Sequence, residues 1–593
     1  MRKLHVGLVA LLLGAAACAS TSNPVTTGSA EDEIAEELAD EQASLFVKDP
    51  RTLMALEERG LAFADVVGIG SPAYDAIAST ITEDLRILRL KDRKSGVGFD
   101  FPHRQFDPAW LHAKESRFEL VGLVNRTDRQ YAGGCGELRL IYRLAYTGSV
   151  SASRLPMTMN VVFPQADDGA QCSTVAKRWL DAARGTPELL LAGPLAGLPA
   201  KARIEINLQA VRWPSNERPD MGGQAEYILR VFSVNAAGAT PVPLENTPRT
   251  DLSPDERKEL ARWVGTHLDE IDRGTALVPE KFLAEKAIAV GPIGIARLAN
   301  RPWHQLYENK TFAKLALPGT KQLGTTEGLL RRLDTMTCNG CHQARSIAGF
   351  HFLGEERDNA ARLNALAIAR SPHFAEELPW RESALAAIAA GTKATPRPFA
   401  EHGTNDGKYG AHCGLGDAAF AAWTCGTGYV CEDRHGDVVG TCGAAAPTVG
   451  DACESGRVTQ DDNPMQDRVE GYAATSCGTD GRNARCNQSR NGFPDGMCRV
   501  DCTEAEYGKI VGGTICGPVP SAAGLTRCLT VDRKPFAECL VATNAPTYLR
   551  TCDRTEACRD DYACTRVPGG PPGIGACMPP YFAFQARVDG HIF

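Results

Sequence analysis

Sixteen of the 21 cysteines in this 593-residue chain fall between Cys413 and Cys577, and no other feature restricts its fold more. Loops so rich in cysteine, glycine and proline bury little apolar surface, and disulfides hold them where a core cannot. An even set of this kind implies a disulfide framework formed in an oxidising compartment. The candidates are Cys413, Cys425, Cys431, Cys442, Cys453, Cys477, Cys486, Cys498, Cys502, Cys516, Cys528, Cys539, Cys552, Cys558, Cys564 and Cys577, with the connectivity open. An internal echo runs through them. "CGTGYVC" at Cys425–Cys431 matches "CRDDYAC" at Cys558–Cys564, each is closed by Gly-x-Cys at Cys442 and Cys577, and "DGMC" at Cys498 resembles a third closing. Cys135 and Cys172 form a candidate pair in the first half, two isolated thiols being the alternative.

The N-terminus agrees with export. Arg2 and Lys3 precede the apolar run Leu4 to Ala17, which is too short to span a bilayer as a mature helix and reads as a secretory signal over residues 1–17. Ala15-Ala16-Ala17-Cys18 resembles a bacterial lipobox with Cys18 as the lipidated residue, although Ala15 replaces the preferred leucine, so plain cleavage after an A-x-A site stays open. Ala19 is not the aspartate that retains lipoproteins in the inner membrane, which favours the outer membrane. No later run offers the roughly 18 apolar residues of a membrane span. The net charge of −8 provides no footprint for nucleic acid.

Residues 18–50 read as a Ser/Thr/Gly tether and an acidic segment, in which Ile34, Leu38 and Phe46 are the apolar positions of a nascent helix. A β-rich domain is predicted over residues 51–250. Its strands are "FELVGLVN", "ELRLIYRLAYT", "MTMNVVFP", "ARIEINLQA" and "EYILRVFSV", with the helix "AKRWLDAAR" between two of them. A helical domain is predicted over 251–395. Ser253 caps its first helix, and "PEKFLAEKAIA", "TEGLLRRLDTM", "NAARLNALAIAR" and "ESALAAIAA" add others. A Gly/Pro-rich linker at 396–412 leads to the cysteine-rich domain at 413–593, whose closing residues Phe582, Phe584, Ala586 and Val588 alternate like a strand. The fold class is multidomain α+β: a sheet or sandwich, a helical domain and a disulfide-rich module of loops and short strands.

"LDTMTCNGCHQARSIAGFHFLG" sits in the helical section and holds Cys338, Cys341 and His342 as C-x-x-C-H. Two thiols three positions apart can each bond one vinyl arm of a haem, while the adjacent imidazole ligates the iron, and an exported chain is where such groups work. The pattern resembles the c-type cytochrome signature over this stretch alone and implies one covalent haem c. No methionine lies between Met336 and Met465, so the sixth-ligand candidates are His351, then His304 and His373. A redox dithiol, a zinc clip and a structural disulfide are the competing readings. Glu137 and Arg139 read as a solvent-facing pair on a strand. His267 reads as core. Asp167-Asp168 and Asp461-Asp462 lack a calcium-loop pattern. No acid–base constellation assembles, so no enzyme class follows.

"VGLVNRTD", "CGELRLIYRLAY", "TCNGCH" and "PPYFAFQARVDGH" together resemble a family of myxobacterial-type lipoproteins, from about Phe118 to His591. The resemblance implies export and a lipid anchor and carries no activity. The expected function is a membrane-anchored haem lipoprotein, for electron transfer with a redox partner protein or for haem-based sensing. The alternative is a cell-surface binding or adhesion lipoprotein without haem, in which Cys338–Cys341 is only a bridge.

Overall fold

The computed structural model describes residues 43–95, 106–147, 152–165, 171–199, 202–212, 225–235, 237–291, 298–317, 322–357, 365–401, 407–433, 437–459 and most of 468–579. All of them belong to one compact unit, Glu41–Phe593, with no division near residue 250, 395 or 412. Cys18, the acidic segment to Glu41, Asp167-Asp168, Asp461-Asp462 and the closing run at Phe582 lie outside the described residues.

Alternation builds the main sheet. The strands are β1 (Phe46–Val47), β2 (Ser116–Arg126), β3 (Glu137–Thr147), β4 (Ala152–Pro164), β5 (Ala202–Arg212), β6 (Ala225–Asn235), β7 (Gly238–Val242) and β8 (Lys286–Gly291). They pair antiparallel in sequential order from β1 to β7, with helices inserted between β1 and β2 and between β4 and β5, and β8 pairs with β6. On β3, Leu138, Leu140, Tyr142 and Leu144 are buried on one face, and Tyr142 Oη donates to the Leu61 carbonyl at 2.7 Å. Helices α1 (Pro50–Leu56) and α2 (Pro72–Ser95) belong to the same core as those residues. Arg139 and Ile141 point to the opposite face, where the C-x-x-C-H segment packs.

The five β-rich runs form β2 to β6, and "AKRWLDAAR" lies in α3 (Cys172–Asp181), extending beyond it. In α4 (Pro254–Thr266), Ser253 and Glu256 close a reciprocal capping box, and His267 ends the helix, stacked on Trp263. Two helix expectations fail. "PEKFLAEKAIA" holds only a short turn at Glu280–Phe282 and from Lys286 is β8, because its Ala-Ile-Ala alternation buries Ala287 and Ala289 at the free half-edge of β6. In "NAARLNALAIAR" the described residues from Ala365 make isolated bridges, Phe352 with Arg370 and Leu366 with Thr565. The segment 251–395 is therefore not purely helical, and its strand joins the sheet. Helices α5 (Thr326–Thr335), α6 (Cys338–Gln343) and α7 (Pro372–Ala389) also lie in it. The expected linker is packed in place: Arg332 donates to the Pro398 carbonyl, Phe399 meets Trp423, and Glu401 is buried against Arg331.

Cys135 and Cys172 are disulfide-bonded. All sixteen cysteines of the tail are paired. Cys413–Cys431 interlaces with Cys425–Cys442, Cys453–Cys486 with Cys477–Cys498, and Cys552–Cys564 with Cys558–Cys577. In each module two cysteines face one another across a hairpin, 431 and 442, 486 and 498, 564 and 577, yet each bonds outward. Cys502–Cys516 and Cys528–Cys539 are simple loops. Nine such bonds belong to an oxidising compartment, so the chain is exported. No helix among the described residues is long and apolar enough to cross a membrane.

Candidate functional site

Helix α6 starts where Thr337 turns the chain. Its side chain accepts from Gly340 N at 3.0 Å and donates to the Asp334 carbonyl at 2.7 Å, so α5 ends and α6 begins on one buried threonine. Cys338 N donates to Thr247 Oγ1 at 3.0 Å, and Asn339 Nδ2 to the Ala299 carbonyl at 3.0 Å, which fixes the short helix against the sheet domain. Cys338, Cys341 and His342 then line one cavity of about 310 Å³. Its wall is the inner face of the sheet, read at alternate positions: Val124 and Arg126, Arg139 and Ile141, Thr158 and Asn160, Glu205 and Asn207, Leu229 and Val231. Phe350, Phe352 and Phe374 close the apolar part.

Cys338 and Cys341 are the two unpaired cysteines among the described residues. Their surroundings differ. Burial pushes the Cys338 thiol up to about 12. Burial also opposes ionisation of Cys341, but hydrogen bonds and the charges of His351 and His373 outweigh it and hold that thiol well below its ordinary range. His351 Nε2 lies 3.7 Å from Cys341 Sγ, and the His351 and His373 rings meet at 4.8 Å. Cys341, His351 and His373 bring their ligand atoms within 4.8 Å of one another.

His342 is 7 % exposed, and burial, then the nearby His351, holds its imidazole neutral. Tyr227 meets its ring edge-on at 4.8 Å. Asn207 Nδ2 lies 3.0 Å from Nδ1 and donates to the Gly349 carbonyl at 2.9 Å. Nε2 is buried without a hydrogen-bond partner, and so is Asn207 Oδ1. An amide N–H against Nδ1 keeps the ring proton on Nε2. Ligation of a metal through Nε2 would need that proton moved to Nδ1 and the Asn207 amide turned, at the cost of its bond to the Gly349 carbonyl.

A covalent haem c needs two reduced cysteines three apart, a neighbouring imidazole with a free nitrogen, a largely apolar slot, and positive charge for its carboxylates. The chain offers the thiols and the charge, the last through Arg126, Arg129, Arg139, Arg203, Arg381 and Arg397 on the cavity wall; the imidazole would serve once its proton sits on Nδ1, and the slot is apolar only on the side of Phe350, Phe352 and Phe374. The volume lies at the lower end of the range for small-ligand pockets. The sixth-ligand candidates fare worse. His351 has both nitrogens taken, Nε2 by the Cys341 carbonyl at 2.7 Å and Nδ1 by Ser371 Oγ at 2.9 Å. His304 is held between Asp334 and Glu327 and does not line the cavity. His373 lines the cavity beside Cys341.

Glu137 and Arg139 are not the solvent-facing pair expected. Glu137 is 6 % exposed and bonds Arg139 and Arg203, with Arg129 beside it. The missed signal is a charged residue at an inward position of β2, β3 and β5 alike, where a sheet packed only on apolar core carries none. Comparison with protein-family models, curated proteins and solved structures found no match.

Proposed function

We propose that the chain is an exported lipoprotein carrying one covalent haem c on Cys338 and Cys341, with His342 as iron ligand, for electron transfer or haem-based sensing. The observation that carries this reading is a C-x-x-C pair left reduced in a chain whose other described cysteines are all paired, opening on the cavity where His342 Nε2 stands without a partner. Thioether attachment explains why two thiols so close stay out of a disulfide. When bound, the haem supplies a one-electron couple and an iron able to take a small ligand. The protein's part is to set the His342 tautomer through Asn207, to exclude water with Phe350, Phe352 and Phe374, and to hold Cys341 through His351 and His373. A lipid at Cys18, and with it outer-membrane anchoring, completes the proposal on the lipobox and the likeness to myxobacterial-type lipoproteins.

The test is expression with a periplasmic haem-attachment system, followed by denaturation in alkaline pyridine. Haemochrome bands that stay with the wild-type polypeptide and vanish in C338S/C341S are the expected result. Matured protein with no porphyrin mass on the peptide containing His342 sinks the reading. It then leaves the cell-surface binding lipoprotein, which the three interlaced cystine modules favour.

A further inference from the structure

Apart from Arg230, which is bound to Asp84, the guanidinium groups on the cavity wall fall into two sets. Arg129, Arg139 and Arg203 face Glu137, Glu205 and Glu245, and their charges balance. Arg126, Arg381 and Arg397 face two carboxylates, Asp128 and Glu377, and Arg397 also senses the Cys341 sulfur. Arg126 chelates Asp128 through Nε at 2.9 Å and Nη2 at 2.8 Å. Glu377 divides its two oxygens between Arg381 and Arg397. Three cations against two carboxylates leave one positive charge uncompensated once Cys341 is in a thioether or replaced by serine, and it is buried: the side chains of Arg126 and Arg381 are 8 % and 6 % exposed. Arg381 Nε has no hydrogen-bond partner. Burial and the neighbouring Arg126 pull the Arg381 guanidinium down to about 10, as expected where cations crowd without enough counter-charge. A buried guanidinium with one N–H left unpartnered is costly unless an acceptor completes it.

We infer that Arg126, Arg381 and Arg397 form a carboxylate-binding subsite of the cavity, its excess charge and the unpartnered Arg381 Nε being met by a carboxylate of the cavity's occupant. With the porphyrin as occupant that carboxylate is a propionate arm, and to that extent the inference rests on the haem reading. A guanidinium presents a planar fork that matches a carboxylate, which a lysine would not.

The experiment uses the full chain as C338S/C341S, which cannot form thioethers, titrated with mesoporphyrin IX and with its dimethyl ester by quenching of tryptophan fluorescence. The diacid is expected to bind about tenfold tighter or more. The R381Q change should bring diacid affinity down to that of the ester in the same variant. R397Q, at a more exposed position, is the second variant should R381Q fail to fold, and thermal melts check both. Equal affinity for diacid and ester overturns the subsite and leaves the haem reading standing. Binding of neither porphyrin sinks the haem reading. Succinate then decides the subsite: binding that R381Q or R397Q weakens by about tenfold assigns the carboxylate to a free small molecule, and no succinate binding overturns the subsite as well.

Discussion

His304 and Gly349 show how tightly single positions around the motif are determined. The pairing of His304 with Asp334 and Glu327 more than offsets its burial and raises the imidazole above its ordinary 6.5. Glu327, opposed by burial but held by His304, is lowered to about 2. A raised histidine stabilises fully below its unfolded value, and that contribution is lost as pH climbs through the folded one. The carboxylate works in reverse: its contribution is present above about 4.5 and fades as pH falls toward 2. Stability should therefore hold between these limits and decline on the alkaline side above 6.5, and H304Q should flatten that alkaline decline. Urea midpoints measured from pH 5 to 9 check this; equal slopes in both proteins rule out the pairing as its source. Gly349 sits at φ +88°, and a Cβ there would lie 2.5 Å from the Tyr227 ring. Tyr227 in turn packs on His342, so G349A should cost roughly 1–3 kcal/mol in chemical denaturation and disturb the ring that carries the site.

At the scale of elements, α6 and the turn after it form one rigid piece. Thr337 begins the helix. Beyond its end, Arg345 and Ala348 adopt positive φ of 48° and 47°, conformations that non-glycine residues hold only when their surroundings insist. The insisting contacts are Tyr227 Oη to the Ala348 carbonyl at 2.5 Å, Asn207 to the Gly349 carbonyl, and Ala348 N to the Asp560 carbonyl at 2.8 Å. Replacing Thr337 with alanine removes the cap and should lower stability by about 1 kcal/mol. The altered helix start should also raise the alkylation rate of the cysteines in protein made without haem; an unchanged rate would show that Thr247 alone holds Cys338. Much at this scale was readable from residues. β2 to β6 announced themselves by alternation, and Ser253 as an N-cap. The placement of the C-x-x-C-H was not readable, because it depends on which sheet face α6 meets. That choice is made by long-range bonds, Asn207 toward His342 and Cys338 to Thr247, that no local pattern encodes. β8 was misread because Ala and Ile at short range suit both periods, and only the open half-edge of β6 decides between them.

Taken whole, the molecule does not keep its cysteine-rich tail apart from its sheet. Asp560 lies within the module of Cys552–Cys564 and Cys558–Cys577. Its backbone carbonyl takes Ala348 N, its carboxylate takes Arg345 N at 3.1 Å, and His412 approaches it at 3.0 Å. Ala367 N reaches the Cys564 carbonyl at 2.8 Å. The module thus clamps the strained turn that follows His342, and its disulfides do locally what a larger core would do. A loop closed over 19 residues, as in Cys558–Cys577, stabilises by roughly 3 kcal/mol, so C558S/C577S should lower global stability by about that amount. The sharper consequence is local. With the clamp loosened, hydrogen exchange at Ala348 and the neighbouring amides of the turn should quicken well beyond the global loss, because Ala348 N depends on Asp560. Removal of Cys528–Cys539, which closes 11 residues and whose described residues make no hydrogen bond to the turn, should cost less and leave the protection of those amides in step with global stability. If the two double variants loosen the turn equally, the tail is a passive appendage of the site; if only the first does, the disulfide framework is what holds His342 in place.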